Sequence, residues 1–89
     1  MLAIAAAVIV VGAILDVSSG AWAILLLCIG TVLGAELCNT ALETLADRVE
    51  PEPDPAIRDA KDVAAAAVLV VSVVAAVTGI VVLWPYVFN

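Results

Sequence analysis

The 89 residues make one domain at most, and 66% of them are apolar, giving a mean hydropathy of +1.29. A chain this small and greasy cannot cover itself with a water-compatible surface, so lipid is the solvent for most of it. The net charge of −6 is not spread out: apart from Asp16, every charge falls between Glu36 and Asp62, and three basic residues give nucleic acid no patch to bind.

In chain order, the first apolar stretch is Met1–Leu15. It carries no charge and is short beside the roughly twenty residues of a full span. It lacks the basic start and small-residue cleavage site of a signal peptide, so it reads as a transmembrane helix. Asp16 to Gly20 then forms a turn, with Gly20 and the serines at 18 and 19 supplying backbone freedom and capping oxygens. Trp22 follows where an interfacial aromatic belongs.

A second helix is expected over residues 21–48, apolar to Ala35 and studded with polar groups after it. Gly30 and Gly34 form a small-xxx-small pair that permits a neighbouring helix to approach closely. Cys28 and Cys38 sit in apolar sequence with no histidine and no paired spacing, and read as small buried hydrophobes. Residues 49–55 form a loop, because Pro51, Pro53 and Pro55 alternate with acids and deny it a helix. Asp54-Pro55 reads as an N-cap followed by Pro at the first helical position. The third helix is expected over residues 56–87, uncharged from Val63 onward, with Trp84 and Tyr86 at its far interface and Pro85 loosening its last turn.

The fold class is therefore all-α, an integral-membrane bundle of three helices forming a single domain over residues 1–89. Arg48, Arg58 and Lys61 all flank the 49–55 loop, which the positive-inside rule assigns to the cytoplasm of a multi-pass protein.

The chemistry concentrates on the second helix. At about 100° per residue, Glu43 and Asp47 fall within about 20° of Glu36, with Asn39 about 60° and Thr40 about 40° away. One polar stripe thus runs for about three turns from within the membrane toward the loop. A carboxylate inside a span costs at least about 2.5 kcal/mol on insertion scales, so core packing does not explain Glu36. Across the loop, Lys61-Asp62 opens the third helix beside the Glu43–Asp47 end of the stripe. There the lysine either neutralises acids or meets phosphoryl oxygens. Phosphoryl transfer needs a divalent cation, cationic contacts for the nucleotide and a base for the attacking hydroxyl. From the residues alone, the site is one for a metal or a cation in a membrane.

The run AELCNTALETLADRVE followed by AKDVAAAAVL resembles the prokaryotic diacylglycerol kinase family, which includes undecaprenol kinases. Its E-x-x-N-[ST]-A-[IL]-E-x-x-x-D pattern is met at Glu36, Asn39, Thr40, Ala41, Leu42, Glu43 and Asp47, and its A-K-D element at Ala60, Lys61 and Asp62. The resemblance covers essentially the whole chain. It implies a homotrimer in the bacterial inner membrane that transfers the γ-phosphate of Mg2+-bound ATP to a lipid alcohol, diacylglycerol or undecaprenol. By the matching positions, Glu36 is the catalytic base and Asn39 orients its carboxylate. Glu43 is the Mg2+ ligand, and Asp47, Glu52, Pro53, Asp54, Lys61 and Asp62 lie at the ATP site. Family members also carry a basic amphipathic helix ahead of the first span, with further nucleotide contacts and a second acidic metal ligand. Met1 falls where the first span is already under way, which leads to the expectation of a start further upstream. Two other readings stand beside the kinase: a small ion-translocating proteolipid, such as a rotor-ring subunit, and a truncated, non-catalytic homologue.

Overall fold

A computed structural model describes residues 1–89. It contains three helices, α1 (Leu2–Leu15), α2 (Ser19–Val49) and α3 (Pro55–Phe88), with no strand. At about 1.5 Å per residue, α2 and α3 each exceed the roughly 30 Å of a hydrocarbon core, and both are apolar enough to cross it. The surplus length at the 50–54 end is the charged part. The bundle measures 54 × 18 × 17 Å, so the long axis is that of α3.

Only 6 of 89 residues are buried, and large apolar side chains such as Leu27, Leu37, Val63 and Leu69 are at least 65% exposed. In water such a surface would aggregate; in lipid it is the expected outer face.

The turn between α1 and α2 is built differently from the one expected. Asp16, not Gly20, takes the left-handed conformation, at φ 52°. Its N–H donates to the Ala13 carbonyl and that of Val17 to the Gly12 carbonyl, both at 3.3 Å, which ends α1 in a Schellman motif. Buried Val17 then supplies the apolar contact the motif commonly carries. The Ser18 side chain accepts from the Ala21 N–H at 3.2 Å and caps α2. This starts the helix at Ser19 and leaves Gly20 inside it. The Ser18 N–H donates to the Tyr86 hydroxyl at 3.0 Å, tying the turn to the end of α3. Pro85 does not end α3, which continues to Phe88.

At the other end, Asp54 Oδ1 accepts from the Ala56 and Ile57 N–H groups at 2.9 and 3.2 Å, with Pro55 in the first turn. This is the cap-then-proline start the sequence implied.

Between these ends α2 and α3 pack as an antiparallel hairpin. The α2 residues turned inward are Leu25, Cys28, Val32, Ala35, Asn39, Leu42 and Ala46, spaced alternately by three and four. On α3 the same spacing picks out Ile57, Lys61, Ala64, Val68, Val71, Ala75, Thr78 and Val82. A coiled-coil seam has this repeat. Near the Asp16–Ser18 turn, α1 leans on the hairpin where Trp22 lies across Gly12: a Cβ built on Gly12 would stand 2.8 Å from Trp22 Cη2. Gly30 and Gly34 have nothing within 4 Å of such a Cβ, so the face they open is not used by the chain's own helices.

Candidate active site

The seam sets the register of the polar groups. Lys61 Nζ donates to Asp47 Oδ1 and joins the two long helices just inside the loop. Farther into the bundle, Glu36 and Ser72 meet in one cavity. Ser72 lies ten residues beyond Asp62, about 15 Å along α3 from its last charge.

That cavity encloses about 390 Å³ between all three helices. Ile4, Ala5 and Val8 of α1 form one wall, Leu25, Ile29 and Val32 of α2 another, and Ala75 and Ala76 of α3 a third. The volume is within the range of small-molecule sites, whose walls are likewise apolar with a few placed polar groups. Here those groups are the Glu36 carboxylate and Ser72. Glu36 is half-buried and makes neither a hydrogen bond nor an ion pair within the chain.

A second cavity of about 400 Å³ lies at the loop end. Four carboxylates line it, from Asp47, Glu50, Glu52 and Asp54, against two cations, Arg58 and Lys61. Pro51, Pro53 and Pro55 stiffen its rim. An anion entering this surplus of negative charge needs a cation with it. The loop is held by the Glu52 N–H donating to Glu50 Oε1 at 3.3 Å, in addition to the Asp54 cap.

Of the site residues expected from sequence, Asp47, Glu52, Pro53, Asp54 and Lys61 are thus brought together at the loop, and Glu36 lines the deeper cavity. Glu43 and Asp62 are exposed and line neither. Along α2, Glu43 lies about 10 Å from Glu36 and about 6 Å from Asp47, so it stands on the path between the two cavities. No three Asp, Glu or Cys side chains converge on one point. Mg2+ takes only one or two carboxylates, with substrate phosphates and water completing its shell, so a single projecting carboxylate such as Glu43 fits it.

Asn39 occupies a position the angular stripe did not distinguish. It lies in the seam facing α3, and its Oδ1 is the one buried side-chain oxygen or nitrogen without a hydrogen-bond partner. An unpaired amide between two packed helices costs about 1–3 kcal/mol. Glu36, three residues earlier on the neighbouring face, is within reach of that turn.

Arg58 and Glu50 are part of the loop cavity, whereas the sequence reading uses Arg58 only to orient the loop. The signal was available: Arg58 and Lys61 are three apart and share a helix face.

The prokaryotic diacylglycerol kinase family model matches residues 1–83. The chain is 36% identical over 83 residues to an undecaprenol kinase of Bacillus subtilis (strain 168), covering 93% of this chain and 68% of that protein. No solved structure matches.

Proposed function

Since the chain belongs to the prokaryotic diacylglycerol kinase family and is a membrane lipid kinase, we propose that ATP is its phosphoryl donor and that its acceptor is undecaprenol or diacylglycerol. The observation that carries this is Glu36, an unpaired carboxylate on the wall of a largely apolar cavity. A membrane protein keeps such a group where function requires it. A carboxylate facing an apolar cavity takes a proton from a hydroxyl brought there by a hydrocarbon tail.

The nucleotide is assigned to the loop cavity. Lys61 and Arg58 meet its phosphoryl oxygens there, and Glu52, Pro53 and Asp54 lie beside it. Asp47 holds Lys61 in place, and Asp62 belongs to the same end of α3. Glu43 would hold Mg2+ together with the phosphates, and the ion would supply charge neutralisation for the nucleotide at this acidic mouth. Asn39 positions the Glu36 carboxylate. Undecaprenol is favoured over diacylglycerol by the similarity to an undecaprenol kinase.

The active form is assigned to a homotrimer in the bacterial inner membrane, with the 50–54 loop in the cytoplasm. Exposed Glu43 and Asp62, and the open face at Gly30 and Gly34, are what a neighbouring copy would cover. The family assignment gives no support to an ion-translocating proteolipid.

The test is transfer of labelled phosphate from ATP to undecaprenol or to diacylglycerol by the purified protein in nanodiscs. Mg2+-dependent labelling of either lipid is expected. A folded protein that labels neither would refute the proposal.

A further inference from the structure

Five serine and threonine side chains lie beyond the first turns of the long helices, and two of them, Thr40 and Ser72, differ from the rest. Thr31, Thr44 and Thr78 each donate to the carbonyl four residues earlier, at 2.6, 2.8 and 2.8 Å. That back-bond is the usual resting place of a hydroxyl in an apolar helix. Ser72, half-buried in the longest uncharged stretch of the chain, makes no such bond to Val68. Of the two unbonded hydroxyls, Thr40 is exposed, whereas Ser72 lines the same cavity as Glu36.

We propose that Ser72 binds the acceptor lipid's hydroxyl oxygen and selects a lipid whose alcohol stands alone, a polyprenol, over a glyceride. This rests on the lipid-kinase reading given above. An alcohol oxygen carries one hydrogen and accepts up to two hydrogen bonds. The cavity supplies an acceptor, the Glu36 carboxylate, and a donor, the Ser72 hydroxyl. The pair therefore complements the donor and the acceptor of one hydroxyl group.

In the reaction, the lipid O–H bond breaks and its proton passes to Glu36. The lipid oxygen forms a bond to the γ-phosphorus. The bond from that phosphorus to the bridging oxygen breaks, and its electron pair leaves with ADP. The lipid oxygen is most negative while its proton is departing, so a hydrogen bond from Ser72 strengthens at that point and acts on kcat as well as KM.

Selectivity follows from what the walls lack. A diacylglycerol brings two ester carbonyls close to its alcohol, each losing water on entry. Apart from Ser72, the side chains lining the cavity offer them only the weak Cys28 thiol as a donor. A polyprenol presents hydrocarbon next to its hydroxyl and leaves no buried acceptor unpaired.

The experiment uses the full chain in nanodiscs, with ATP and either polyprenol or diacylglycerol, and compares Ser72→Ala with Ser72→Thr, which keeps a hydroxyl. Ser72→Ala is expected to lower kcat/KM for the polyprenol about ten- to hundredfold, the effect of one hydrogen bond to a developing charge. KM for ATP should stay unchanged and the polyprenol-to-diacylglycerol ratio should narrow. Ser72→Thr is expected to stay close to the parent. The inference is overturned if Ser72→Ala keeps parental kcat/KM for the polyprenol, or if both variants fall together with KM for ATP. A parent protein inactive on both lipids would instead sink the kinase reading itself, so the two failures are distinguishable.

Discussion

Replacing Lys61 with Met, and separately its partner by Asp47→Asn, separates a charge that neutralises acids from one that meets phosphate. The two side chains are 30% and 67% exposed, respectively, and an ion pair this wet contributes about 0–1 kcal/mol. Asp47→Asn is therefore expected to lower the hairpin's stability by no more than about 1 kcal/mol, and the double-mutant coupling with Lys61→Met should lie in the same range. A hydrogen bond from the ammonium to a phosphoryl oxygen is larger, about 1.5–3 kcal/mol. At about 1.4 kcal/mol per tenfold, Lys61→Met should raise KM for ATP about ten- to hundredfold. Asp47→Asn removes the anchor and leaves the cation, so its effect on KM should be distinctly smaller. Denaturant titration in micelles followed by circular dichroism gives the stabilities, and ADP release at varied ATP gives KM. If Lys61→Met costs stability but leaves KM for ATP unchanged, Lys61 is a neutralising charge and the phosphate contact is refuted.

Two further outcomes follow from packing. Asn39→Leu fills the seam with a side chain of similar size and removes an unpaired amide oxygen. It is expected to raise hairpin stability by about 1–3 kcal/mol in the same titration while lowering lipid phosphorylation; a loss of stability would show that Asn39 has a partner across the seam. Gly12→Ala drives a methyl to 2.8 Å from Trp22. Overpacking of about 1–3 kcal/mol, less the roughly 1 kcal/mol that Ala gains over Gly in a helix, leaves a net loss of up to about 2 kcal/mol. Gly30→Ala, with open space around it, should show no such loss in an isolated copy. Trp22 fluorescence in a Trp84→Phe background reports the first change.

Much of this architecture is legible in the sequence because lipid imposes few solutions. Proline alternation fixes the loop, and the charge-free stretches fix the helices that can span. The carboxylate stripe on α2 follows from angles alone. Those angles did not say which side of the stripe faces α3, because that depends on the hairpin's register. Register is set by contacts such as Asp47–Lys61 and by the seam spacing on both helices. Once it is known, Asn39 moves from the flank of the stripe into the seam, and Ser72 comes to line the same cavity as Glu36. Neither relation is visible in a local pattern. The Asp16–Ser18 turn departs from the glycine-based expectation for a local reason: glycine is the usual left-handed residue, but a short polar side chain such as Asp also tolerates it, and this turn buries Val17.

The most direct measurement of the central assignment is phosphate transfer to lipid by Glu36→Gln, compared with the parent at saturating ATP and equal lipid. The variant keeps the shape of the cavity wall but cannot accept the hydroxyl proton. Its kcat is expected to fall about 10²- to 10⁴-fold, the usual contribution of a general base, with nucleotide binding retained. A Glu36→Gln protein that phosphorylates lipid at the parental rate would contradict the assignment of Glu36 as the base.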